Sequence, residues 1–198
     1  MLPGSEDRSA RVVPADRIVV GLDPGSRRTG FAVVRSDRMG GGPCRCASGV
    51  IRLDPSLPFV ERLPALRDSL QEVLDTYHPR EAALETCFLS KGVQAALVLG
   101  HVRGVLLLVC LEAGLEVFEY SPSEIKRAVT GTGSAPKEQV ARMLPRLLAS
   151  PPESPSADES DALAAAYCHL TRPAIARARP LLARRLVRPG APPRGGLG

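Results

Sequence analysis

The chain has 198 residues, 44% of them hydrophobic, and with no Trp and few Phe or Tyr its core must be built from Leu, Val and Ala. No apolar run reaches the ~18 residues that cross a bilayer, and the start Met1-Leu2-Pro3-Gly4-Ser5-Glu6-Asp7 lacks the basic and apolar regions of a signal peptide; a cytoplasmic protein without a membrane partner is expected. Five cysteines, at 44, 46, 87, 110 and 168, are an odd number without paired metal-site spacing, so they read as reduced thiols.

Residues 1–16 mix Pro, Gly, Ser and charges without period and read as a flexible arm. Residues 17–22, 30–36 and about 46–53 read as three strands joined by turns, an antiparallel meander. Apolar residues at 59, 63, 66, 70, 73, 74 and 77 recur at helical spacing, so a helix is predicted over 59–77, with Pro64 tolerable only near its first turn. Residues 81–85 form a short strand returning from that helix, which suggests a parallel neighbour and a mixed sheet. A long apolar helix follows over 90–114. Its Gly100 and Gly104, four apart, predict close backbone approach, either in the core or at a subunit interface.

Residues 115–120 make a further strand. Ser121-Pro122-Ser123-Glu124 is a capping box with proline at the first helical position, and Gly131 ends that helix. Another helix is expected from Pro136 to about Ala149, limited by Pro145. Ser156-Ala157-Asp158-Glu159 is a second capping box, opening an Ala-rich helix through His169. The elements predict an α/β fold, a mixed five-stranded sheet flanked by helices, over residues 17–170.

Residues 171–198 read as a disordered Arg/Pro/Gly-rich tail. The net charge of +5 is concentrated there: seven of the 26 basic residues lie in it without an acid, leaving 19 against 21 acids, about −2, for the rest. Such a tail attracts polyanions, although the chain is rich in these residues throughout.

Four acids have chemical promise. Asp23 ends the first strand, where the chain enters Pro24-Gly25-Ser26, which by itself also reads as an ordinary turn. Glu85 ends the strand expected beside it. Asp158 and Asp161 lie three apart on one helix and so face one way, and the alanines after them let that helix sit close to the sheet. Carboxylates converging without cations repel and raise each other's pKa, and a hard divalent ion relieves that repulsion. Taken singly, each acid also fits a helix terminus, a strand end or a solvated face.

These residues fall in a recognisable order. The run Gly21-Leu22-Asp23-Pro24-Gly25-Ser26-Arg27-Arg28-Thr29-Gly30 resembles the opening motif of the RuvC family of Holliday-junction resolvases. Leu84-Glu85-Thr86-Cys87-Phe88 with Lys91, then Leu99-Gly100-His101-Val102-Arg103-Gly104, resemble its second acidic block and long helix. Phe118-Glu119-Tyr120, Ile125-Lys126 and Gly133-Ser134-Ala135-Pro136-Lys137 resemble its later DNA-contacting blocks, and Ala157-Asp158-Glu159-Ser160-Asp161-Ala162-Leu163-Ala164 its terminal acidic helix.

The resemblance implies an RNase H-like fold and a crossover junction endodeoxyribonuclease. By it, Asp23, Glu85, Asp158 and Asp161 are the catalytic acids that bind Mg²⁺, with Mn²⁺ substituting and two ions per site. Lys126 and Lys137 would stand near the scissile phosphate. Phe88, Lys91, Arg27 and Arg28 would touch DNA. The implied partners are a four-way DNA junction, a second copy of the chain, and a branch-migration helicase complex of the RuvAB type. Two readings compete: a junction-binding module without catalysis, and an actin-like ATPase, which needs a second sheet domain and further glycine-rich loops that this sequence does not show.

Overall fold

The computed structural model describes residues 17–36, 42–86 and 92–172. Phe88, Lys91, the arm 1–16 and the tail from 173 onward lie outside the described residues. Five strands, β1 (Ile18–Asp23), β2 (Arg28–Arg35), β3 (Cys44–Arg52), β4 (Glu81–Glu85) and β5 (Glu116–Tyr120), form one sheet in the order β3-β2-β1-β4-β5. The β1/β2 and β2/β3 pairs are antiparallel, the β1/β4 and β4/β5 pairs parallel, so the sheet is mixed as expected. Glu81 and Glu85 bound β4 as the sequence predicts.

Side chains alternate across the sheet and separate two apolar layers. Val20, Leu22, Val33, Ala82, Leu84 and Val117 face α1 (Leu63–Tyr77) and α2 (Val93–Glu112). Val19, Ala32, Val34, Ala83 and Phe118 face α3 (Pro122–Thr130), α4 (Lys137–Leu147) and α5 (Ala157–Thr171). Pro64 falls in the first turn of α1, where its missing N–H costs nothing, and the residues before it, Phe59–Arg62, form a 3-10 turn instead of α-helix. Both capping boxes are present: Ser121 with Glu124, and Ser156 with Glu159.

Two expectations need correction. A Cβ placed on Gly100 or Gly104 would meet nothing within 4 Å, so among the described residues these glycines serve no close packing in the core. They lie on an open face of α2. The exclusion of a membrane span by run length also does not extend to the whole helix. At 20 residues and a mean hydropathy of 1.9, α2 is long and apolar enough for one, because His101 and Arg103 interrupt the runs without lowering the average much. Its inner side, Val102, Leu106, Val109 and Cys110, is buried against the sheet.

Candidate active site

Asp23 and Glu85 are the last residues of adjacent parallel strands, one row beyond the Leu22–Leu84 pairing. Alternation puts both on the α5 side of the sheet, in phase with Val19, Gly21 and Ala83. What brings α5 to them is glycine. Gly30 is paired with Asp23 in the β1/β2 register, and a Cβ on it would stand 2.0 Å from the Asp158 carbonyl oxygen. One on Gly21 would stand 2.1 Å from the Ala162 carbonyl oxygen. The helix backbone therefore rests on the strand backbones, and the acids of its first turns meet the strand ends. Ser48 of β3 holds the same end by donating to Glu159 Oε1 at 2.5 Å.

Electrostatics show that the four acids share one field. Burial, then Asp161, Asp158 and Glu85, push the Asp23 carboxyl from 3.8 up to about 7, against the lowering influence of Lys137. Burial and then Asp161 raise Glu85, while Lys137 and Lys126 pull it down. Glu81 makes the contrast. It lies four residues before Glu85 on the same face of β4, and burial opposes its charge too. Hydrogen bonds from His169 and Arg17 nevertheless bring it down to about 2. One acid has its cations. The other lacks an ion pair among the described residues.

The two α5 acids are held differently. Lys137 Nζ donates to Asp161 Oδ2 at 2.7 Å, which raises the lysine's own pKa. Arg28 Nε stands 2.9 Å from Asp158 Oδ2. Lys126 is half-buried on α3 and reaches the site through its field on Glu85. Arg27 is exposed in the hairpin turn.

Sequence reasoning missed Arg103. From α2 it donates Nη1 to the Glu85 carbonyl oxygen at 3.0 Å and pairs with Glu119, so it fixes the end of β4 from behind. The only signal was an arginine on the inner side of an otherwise apolar helix.

As they stand, no three His, Cys, Asp or Glu side chains among the described residues are drawn close enough to enclose a metal ion. The donor set still fits one: four half-buried carboxylates with no His or Cys, two of them pushed toward the neutral form by burial and by neighbouring acids, suit a hard divalent ion. An Asp23 that ligates such an ion must first ionise, and in that case affinity for Mn²⁺ should fall about tenfold per pH unit below ~7. Calorimetry in buffers of different ionisation heat should find close to one proton released per Asp23 at pH 6 and almost none at pH 8. Proton-free binding at both values would contradict this.

The family model for the crossover junction endodeoxyribonuclease RuvC matches residues 19–169. The chain belongs to the RuvC family. It is 46% identical to the RuvC protein of Chlorobium phaeobacteroides over 155 residues, 78% of this chain and 82% of that one. Against the RuvC protein of Chlorobaculum parvum the identity is 47% over the same shares. Thermus thermophilus RuvC, solved in complex with a Holliday junction substrate, superposes with a TM-score of 0.76 at 31% identity, covering 83% of this chain and 99% of that one. The yeast mitochondrial Holliday junction resolvase Ydc2, at 13% identity and a TM-score of 0.57, shares the fold. The fold is thus RNase H-like, as the motif order implied.

Proposed function

We propose that this family member resolves Holliday junctions by divalent-ion-dependent hydrolysis of phosphodiesters in opposed strands, in recombination and repair of cytoplasmic DNA. The observation that carries the reading is the convergence of Asp23, Glu85, Asp158 and Asp161 at one sheet end, with Asp23 pushed up to about 7 by burial and by the other three acids. Asp23, Glu85 and the α5 acids would hold two Mg²⁺ ions, with Mn²⁺ substituting. When bound, such ions polarise a phosphate and activate a water. The protein's own part is placement. Gly21 and Gly30 set the height of α5, Arg103 fixes the end of β4, and Lys137 aligns Asp161. Lys137 and Lys126 also add positive charge where negative charge develops on the phosphate. Arg27, Phe88 and Lys91 would contact the junction, and a RuvAB-type complex would supply it. The test is incubation of a labelled junction with and without Mg²⁺: nicks should require the ion, while binding persists in EDTA. Binding with no nicks in Mg²⁺ or Mn²⁺ would favour the inactive module.

A second copy of the chain fits α2. Val93, Leu97 and Leu108 are exposed apolar residues, and with Gly100 and Gly104 they recur at helical spacing as one stripe facing away from the sheet. A two-fold axis through such a stripe suits two sites cutting a four-way junction. Leu97→Asp with Leu108→Asp should halve the mass seen in sedimentation and abolish paired cutting while leaving Mn²⁺ binding intact. An unchanged mass would place the interface elsewhere.

A further inference from the structure

Arg28 opens β2 on the α5 side, two residues before Gly30, the position at which the strand touches the Asp158 backbone. That placement lets its guanidinium reach Asp158, at 2.9 Å from Nε to Oδ2. The pair is partly open to water, with 47% of the Arg28 and 30% of the Asp158 side chain exposed. An ion pair in that setting is weak and exchangeable. Asp158 therefore carries a cation that a divalent ion would have to replace.

We propose that Arg28 is a placeholder on Asp158: it leaves when a divalent ion binds there and turns to a phosphate of the bound DNA strand. This rests on the metal-dependent nuclease reading above. A guanidinium released from a carboxylate keeps its fork of donors, and a phosphate offers the same paired oxygens. The side chain stays tethered at the mouth of the site, so the strand lying there takes over its charge. Ion binding and phosphate capture then favour one another, and the coupling is reciprocal. Lys137 on Asp161 is held by a different element, the start of α4, and does not need to move for this exchange.

The experiment has two arms. In a Mn²⁺ titration without DNA, Arg28→Gln should bind about two- to five-fold more tightly than wild type, the range expected for losing an exposed competing ion pair. Arg52→Gln removes an equal charge from the residue opposite Arg28 in the β2/β3 register and should leave Mn²⁺ affinity unchanged. In junction binding by fluorescence anisotropy, wild type and Arg28→Gln should be alike in EDTA. With Ca²⁺, wild type should be tighter by a similar factor, with a salt slope steeper by about one phosphate contact. Unchanged Mn²⁺ affinity in Arg28→Gln, or equal tightening in Arg52→Gln, overturns the proposal. So does an equal loss of junction affinity with and without the ion, which marks a constant phosphate contact. If wild type has no Mn²⁺ site that Asp23→Asn removes, the metal reading itself fails and this proposal with it.

Discussion

Asp23→Asn should lower junction cleavage by about a thousandfold or more while making the metal-free protein harder to melt. The activity loss follows from removing the strand-end carboxylate on which three other acids converge. The gain in stability follows from the same fact. Folding raises the Asp23 pKa from 3.8 to about 7 through burial and repulsion from Asp161, Asp158 and Glu85. Between those values the folded chain binds a proton that the unfolded chain has released, so metal-free stability falls as pH rises through that window. The neutral amide removes the penalty. In EDTA at pH 8 the melting temperature should rise by about 2–4 °C for each kcal/mol of relieved strain, and below about pH 3 the difference should vanish. A variant less stable than wild type at pH 8 would show that Asp23 is already neutralised by a partner.

The largest structural effect is expected at Gly30. Its missing side chain is what lets α5 lie on β2, and a methyl group would sit 2.0 Å from a backbone oxygen that cannot rotate away. Gly30→Ala must lift the start of α5, at an overpacking cost of about 1–3 kcal/mol. For a chain of this size that lowers the melting temperature by roughly 2–12 °C. The displaced residue is Asp158, so cleavage by the folded fraction should fall further than the stability loss explains, together with Mn²⁺ affinity. Thermal melting and a Mn²⁺ titration on the same sample separate the two. Normal Mn²⁺ affinity in a destabilised Gly30→Ala protein would mean that Asp158 does not depend on this contact.

The parts of this architecture that are local were legible in the sequence. The strand ends at Asp23 and Glu85 follow from apolar runs that stop at an acid. The two capping boxes announce α3 and α5, and the alanines after Asp161 announce a helix lying close to the sheet. Contacts made over long sequence separations were not legible. Glu81 and Glu85 look alike in sequence, and only Arg17, just before β1, and His169 of α5 make one a paired structural acid, while burial and Asp161 push the other up. The Arg28–Asp158 pair spans 130 positions and has no local signature. Arg103, bonded to the Glu85 carbonyl, resembled any arginine in a helix. At Gly100 and Gly104 the spacing pointed to close backbone approach, yet among the described residues nothing lies within 4 Å of a Cβ placed on either, because spacing alone does not say what, if anything, packs on a helix face.

As proposed, Asp23, Glu85, Asp158 and Asp161 form one junction-resolving site. The most direct measurement is cleavage of a mobile four-way junction and a matched linear duplex, each end-labelled on every strand, in Mg²⁺. Paired nicks at symmetric positions in opposed strands of the junction are expected, with the duplex left intact. Equal nicking of the duplex, or a junction bound but uncut, would contradict it.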